Sequence, residues 1–299
     1  MKSATRRTPL RRAVVRVPAS TSNLGPGYDC LGVALAIHNE VTVERAAAGS
    51  ALAASPPHAH GMVEATAAAF FERSGAAAFG FGWSVSGEVP ESRGLGSSVT
   101  IRLGVLAGLN ALSGDPLDQQ ALFEICTALE GHPDNAGPGA FGGFVVAGSG
   151  GQVLRFAVDP ALKFVLLIPG FEVLTETARA VLPDAVGRRD AVVNVGNAAV
   201  ITAAFACGDY AKLRGAFGDH LHQPFRAHLV PQMGATIAAG SAAGALGGFL
   251  SGSGSGLACL VFGADASLVG AAMQAGFAGR SEVIIVEADP DGATVLEAS

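Results

Sequence analysis

Glu91-Ser92-Arg93-Gly94-Leu95-Gly96-Ser97-Ser98, running straight into the apolar helical pattern of Val99 to Leu112, constrains this chain more than any other stretch. Gly94 and Gly96 let the backbone turn tightly and approach a ligand with no Cβ in the way. Ser97 and Ser98 fall where a helix needs an N-cap. The start of that helix offers unpaired N–H groups and the positive end of a dipole. Such a junction is an anion cradle suited to phosphate. A Walker loop would need a lysine after its last glycine, and the only lysines are Lys2, Lys163 and Lys212. Val99 stands where a Rossmann fingerprint needs its third glycine. The cradle therefore belongs to neither family of nucleotide folds.

The rest of the chain must bury this loop in a compact body. With 299 residues there is room for one large domain or two moderate ones, and 49% hydrophobic against 15% charged residues supplies ample core. A net charge of −6 argues against bulk nucleic-acid binding, so anionic ligands must be met by local positive features. Cys30, Cys126, Cys207 and Cys259 lie far apart without a C-x-x-C pair, which indicates small buried hydrophobes and a reduced, cytoplasmic setting. Residues 1–12 carry Lys2, Arg6, Arg7, Arg11 and Arg12 without an apolar run behind them, and read as a basic tail, not a signal peptide. No stretch offers the roughly 20 uninterrupted apolar residues of a membrane span.

Patterning predicts strands at Ala13 to Val17, Val33 to Glu44, Gly82 to Gly87, Lys163 to Ile168, Gly248 to Leu250, Leu257 to Phe262 and Glu282 to Glu287. Helices are expected over Met62 to Phe71, Val99 to Leu112, Asp118 to Glu130, Thr175 to Leu182, Asp190 to Phe205 and Tyr210 to Phe217, with another capped by Asp265. Ala51 to His60 reads as a weakly structured surface stretch. Gly104 and Gly108, four apart on one helix face, cost helix stability and so indicate a close contact with another element. A change of character near Asp159-Pro160 sets a boundary between residues 13–160 and 161–299, both α+β.

Three loops recur in order: Pro18 to Gly32, Pro90 to Ser98, and Ser251-Gly252-Ser253-Gly254-Ser255-Gly256. With Glu130-Gly131-His132-Pro133-Asp134-Asn135, Pro138 and Phe141-Gly142-Gly143, and with Asn23-Leu24-Gly25-Pro26-Gly27-Tyr28-Asp29 in the first loop, the chain resembles the GHMP small-molecule kinases, and among them the homoserine kinase family. The resemblance runs from about Val14 to the last strand. It implies an α+β, two-domain fold with a ribosomal-S5-like N-terminal nucleotide-binding domain and a ferredoxin-like C-terminal domain. It also implies ATP-dependent, Mg2+-dependent phosphorylation of the side-chain hydroxyl of L-homoserine on the way to threonine. The partners implied are L-homoserine and ATP, with no nucleic acid, no membrane and a possible homodimer.

By the same resemblance, Gly94, Leu95, Gly96, Ser97, Ser98, Gly252 and Gly254 hold the nucleotide, and Ser98 and Glu124 supply oxygens to magnesium. Glu124 would be the polar member of a small-residue helix face with Ala121, Thr127 and Gly131. Homoserine is a zwitterion, so its site needs a cation for the carboxylate and an anion for the ammonium. Arg179 and Arg226 match the family's substrate arginines, Asp29 the ammonium partner, and Asn23 and His132 further polar contacts. Asp134, Asn135 and Arg179 form the implied catalytic set. Asp134 is a base in some relatives, but a loose transition state needs little activation of the hydroxyl, so orienting that hydroxyl or supporting the loop stays an open role for it. His220 and His222 read as ordinary surface residues.

Three departures from the family pattern stand out. Ser255-Gly256 replace Pro-Thr in the third loop and loosen it, Val99 and Thr100 replace small alanines, and Gly61 stands where an asparagine assists adenine. Two further readings stay open: a GHMP kinase for another small alcohol, and a non-catalytic paralogue.

Overall fold

The computed structural model describes residues 10–46 and 54–299. Most of the expected tail, residues 1–9, lies outside them, as do residues 51–53 of the expected surface stretch. Arg12, assigned to the tail, already opens β1.

The first domain is built from β1 (Arg12–Ser22), β2 (Leu31–Arg45), β3 (Ala54–Ser55), α1 (His60–Ser74), β4 (Phe81–Gly87), α2 (Ser97–Leu112), α3 (Gln119–Glu130), α4 (Ala136–Phe141), β5 (Phe144–Ala147) and β6 (Val153–Phe156). The second holds β7 (Lys163–Pro169), α5 (Thr175–Ala180), α6 (Arg188–Cys207), α7 (Gln223–Arg226), α8 (Met233–Ala242), β8 (Gly247–Leu250), β9 (Leu257–Val261), α9 (Ala266–Ala275) and β10 (Ser281–Val286). A last strand, β11 (Thr294–Ala298), does not stay there. It pairs antiparallel with β1, Ala13 opposite Ala298, and so closes the edge of the first sheet. The chain passes from β6 to β7 between Phe156 and Lys163, and its end returns to the first sheet.

The first sheet runs β11-β1-β2-β4-β3, with the β5–β6 hairpin attached to the other half of β2. The second runs β10-β7-β9-β8. In order of appearance those strands are the fourth, first, third and second, with helices between the first and second and between the third and fourth, which is the ferredoxin-like pattern.

α2 lies across β1 and β2, and its two glycines make that approach possible. A Cβ on Gly104 would sit 2.3 Å from Val41 Cγ2, and one on Gly108 2.6 Å from Val43 Cγ2. α3 starts at Asp118, whose side chain accepts from the Ala121 amide, and stops at Gly131 with φ +82°. The helix expected over Tyr210 to Phe217 is a short 3-10 turn, Tyr210–Leu213, followed by Gly215 at φ +80°. Cys126 and Cys259 are buried, Cys30 is half-buried, and Cys207, at the end of α6, is exposed against expectation.

One apolar cluster joins the domains. Leu31, Val33 and Leu35 of β2 and Phe144 of β5 pack with Phe164, Phe205, Phe249 and Leu260 of the second domain. Phe144 and Phe205 stack with ring centroids 4.1 Å apart.

Candidate active site

The three loops meet at the seam between the domains. Gly94 has φ +70°, and a Cβ on it would lie 1.9 Å from the Ser251 carbonyl oxygen. Ser251 Oγ donates to Gly94 O at 2.7 Å and lies 2.8 Å from Thr21 Oγ1. Asn23 Nδ2 donates to Gly252 O at 3.0 Å, and the Gly252 amide donates to Ser22 O at 3.2 Å. These bonds fix a cleft of about 220 Å3. Ser255, the departure expected to loosen the third loop, is fully buried and donates to Phe171 O at 2.6 Å, and the Gly256 amide donates to Arg93 O at 3.2 Å. Tertiary bonds hold the stretch that composition alone would leave mobile. Gly254 turns the loop at φ +92° and packs toward Leu250 and Val230; it does not line the cleft. Gly61 sits in the first turn of α1, exposed and likewise away from the cleft.

The glycine loop delivers α2 into the cleft end-on. Its N-cap is Gly96 at φ +68°, with no side chain capping it, so the first amides are left for a ligand. Gly94, Leu95, Gly96, Ser97 and Ser98 all line the cleft. Ser98 Oγ donates to Glu130 Oε2 at 2.9 Å, and Arg102 Nε donates to Glu130 Oε1 at 2.6 Å.

Glu124 is not part of this arrangement. It bonds Arg73 at 3.1 Å and Gln120 at 3.2 Å and borders a separate cavity with Cys30, Phe123 and Thr127. Glu124 and Glu130 share α3 but lie about 120° apart around its axis, so only one can face α2. The carboxylate beside Ser98 is Glu130, which the sequence reading passed over. A hydroxyl and a carboxylate are the hard oxygen donors magnesium takes, and Arg102 keeps the carboxylate oriented.

On the far side of the cleft, polar groups from both domains converge. Ser20 Oγ donates to Asn135 Oδ1 at 2.8 Å, and Asn135 Nδ2 donates to Ser22 Oγ at 3.0 Å, so this amide is locked. His132 Nδ1 donates to Asp134 Oδ1 at 2.6 Å. Burial would push the His132 imidazole down, but the hydrogen bond and charge of Asp134 outweigh it and its pKa is raised. Ligand atoms of Asp29, His132 and Asp134 lie within 4.8 Å of one another.

Asp29 Oδ1 and Oδ2 accept from Arg179 Nη2 and Nη1 at 2.8 and 3.1 Å, a forked pair. Burial alone would lower the Arg179 pKa; the Asp29 bond and charge raise it. Asn23 Oδ1 accepts from the Asp29 amide at 3.0 Å, so Asn23 shapes the first loop as well as lining the cleft.

Arg226 is the most telling group. It is 2% exposed, and no carboxylate pairs with it among the described residues. Nε donates to Ala178 O at 2.9 Å and Nη1 to Gly252 O at 3.2 Å. Burial lowers its pKa, the mark of a cation short of compensation. His222, expected at the surface, is fully buried beside it, whereas the His220 side chain is 45% exposed. A buried unpaired guanidinium opening on a cleft, opposite a glycine-built anion cradle, marks a site for two separate anions.

Comparison with known proteins agrees with this geometry. Residues 61–143 match the model of the GHMP kinases N terminal domain, and residues 202–279 that of the GHMP kinases C terminal domain. The homoserine kinase of Moorella thermoacetica is 39% identical over 274 residues, covering 89% of this chain and 92% of the relative. That of Caldicellulosiruptor bescii is 35% identical over 297 residues, covering 94% and 96%. The chain belongs to the homoserine kinase family of the GHMP kinases.

Among solved structures, the homoserine kinase from Cytophaga hutchinsonii superposes with a TM-score of 0.87 at 26% identity, over 97% of this chain and 99% of that one. A mevalonate kinase structure, at 12% identity and a TM-score of 0.68, shows the shared fold alone. As a member of this family the chain is a kinase of small molecules, and the two-domain architecture follows the family's.

Proposed function

We propose that this protein transfers the γ-phosphoryl group of ATP to the side-chain hydroxyl of L-homoserine, giving O-phospho-L-homoserine for threonine formation. The observation that carries the reading is Arg226, a buried cation with no anion paired to it among the described residues, in the same cleft as the uncapped N-terminus of α2. The homoserine kinase names of relatives at 35–39% identity support it.

The amides of Gly94 to Ser98 bind the phosphates, with the loop of Gly252 closing the other side. Ser98 and Glu130 are the residues that would hold magnesium, which supplies charge neutralisation on the phosphate oxygens when bound. Arg226 receives the substrate carboxylate. Arg179 and Asp29 now satisfy each other; a zwitterion entering between them replaces that pair with two ion pairs of its own, Asp29 taking the ammonium. Each member of the pair is about one-third exposed, so the exchange costs little.

The hydroxyl then points to Asp134 and Asn135, whose positions are set by His132, Ser20 and Ser22. Asp134 accepts the hydroxyl hydrogen and orients the oxygen; positioning is the main task in a loose phosphoryl transfer. Four free thiols, three of them buried or half-buried, suit a cytoplasmic enzyme.

A coupled ADP-release assay with homoserine, mevalonate, shikimate and galactose tests the reading. Homoserine is expected to give the highest kcat/KM by about 100-fold or more. Preference for another alcohol moves the substrate assignment, and no turnover with any replaces the enzyme with a non-catalytic paralogue.

A further inference from the structure

His222 occupies the N-cap position of α7 with none of its surface exposed. Its Nε2 lies 2.8 Å from Gly25 O, a carbonyl that can only accept, so Nε2 carries the proton. In the neutral ring Nδ1 is then a lone pair, and it faces Arg226 Nη1 at 3.2 Å. Arg226 Nη1 also reaches Gly252 O, and Nε is held by Ala178 O. The ring of Tyr28 packs against the imidazole with centroids 5.2 Å apart. Three acceptors thus hold the guanidinium at Nε and Nη1 where Arg226 lines the cleft, with the Tyr28 ring centroid 5.4 Å from it.

We infer that His222 is a positioning residue for substrate binding: as a neutral imidazole tied to the first loop, it accepts from Arg226 and aims that guanidinium at the substrate carboxylate. This rests on the reading of Arg226 as the carboxylate site. The charged and titratable groups facing the ring are Asp219, Arg226, Tyr28 and Asp29. Burial lowers the His222 pKa, which keeps the acceptor available at neutral pH. Asp219 does not compete for it, since its carboxylate already accepts the backbone amides of Leu221, His222 and Gln223.

Three variants separate positioning from packing. His222→Phe keeps the ring and loses both bonds. His222→Asn keeps an acceptor where Nδ1 stands, and His222→Gln keeps a donor toward Gly25. The homoserine KM should rise about tenfold or more in the Phe and Gln variants and stay within about threefold of wild type in the Asn variant. The ATP KM should not move in any of them. Gln restoring the homoserine KM while Asn does not, or both KM values rising together, overturns the inference in favour of a structural role. Should the Phe variant fail to fold, the Asn–Gln contrast decides alone. Arg226→Lys is the control: no change there removes the carboxylate site itself, whereas a large change there beside a silent His222→Phe removes only the role of His222.

Discussion

Ser98 Oγ donates to Glu130 Oε2 at 2.9 Å across 32 positions of sequence, while Glu124, on the same helix as Glu130, turns to Arg73. The helix phase decides which carboxylate faces Ser98. Glu130→Gln should lower magnesium-dependent turnover by about 10–100-fold or more and raise the magnesium concentration needed for half-maximal rate. Glu124→Gln should leave both near wild type, since its partners Arg73 and Gln120 are at the surface. A magnesium titration of the two variants checks the assignment, and the opposite ranking would return the site to Glu124.

Arg226 is buried, with no carboxylate paired to it among the described residues. Arg226→Lys retains charge but loses the fork held by Ala178 and Gly252. Losing the oriented hydrogen bonds of a buried charged group costs about 2 kcal/mol, which is roughly 30-fold in the homoserine KM. The ATP KM should change far less. Initial-rate kinetics with each substrate varied in turn would show the split, and equal effects would place Arg226 outside the substrate site.

Much of this was legible in the sequence because local chemistry fixed it. Gly94, Gly96 and Ser97 announce a loop entering a helix, and Gly104 with Gly108 announces the contact that lays α2 on Val41 and Val43. What stayed hidden depends on elements far away in the chain. Glu124 and Glu130 have similar helical surroundings, and only the packing of α3 against α2 tells them apart; the one local hint was that Glu130 abuts the Gly131-His132 motif. His222 sits in a polar stretch that reads as surface until Gly25 and Tyr28 close over it. β11 is a short alternating run whose partner, β1, lies at the opposite end of the chain.

Gly94→Ala tests the seam between the loops. Its Cβ would meet Ser251 O at 1.9 Å, and its φ of +70° suits glycine alone, so the first and second domains would have to separate locally. The strain is on the order of 1–3 kcal/mol, enough to lower the Tm by several degrees. Displacing the cradle should also raise the ATP KM more than the homoserine KM. Melting curves and initial rates on one preparation measure both, and an unchanged Tm would contradict the close approach.

The thiols offer a pH-dependent test. Burial pushes the Cys30 thiol up to about 11 and Cys259 up to about 12, and raises Cys126 as well. A raised thiol pKa means less thiolate at any given pH, so these three should resist a disulfide reagent at pH 8. Exposed Cys207 should react alone, one thiol per native chain, and Cys207→Ser should abolish the fast phase. Reaction of Cys30 should emerge only as pH climbs toward 11. Rapid labelling of several thiols at pH 8 would contradict the burial of Cys126 and Cys259.

The cluster containing Phe144 and Phe205 decides whether the two domains are separate folding units. Phe144 comes from β5 and Phe205 from α6, both fully or almost fully buried, and their rings stack at 4.1 Å. The surrounding contacts also cross the boundary, with Leu31, Val33 and Leu35 against Phe164, Phe249 and Leu260. Truncating Phe205 therefore removes apolar contact from both domains at once. Phe205→Ala should cost about 3–5 kcal/mol. The wild-type chain should unfold in a single transition in urea, because neither half can open without exposing the other's core. Intrinsic fluorescence from Trp83 in the first domain and far-UV circular dichroism of the whole chain should then share one midpoint, and both midpoints should move together in the variant. A Trp83 transition that stays in place while the circular dichroism midpoint falls would mean that the first domain stands without the second, and that β11 and the shared cluster do not couple them.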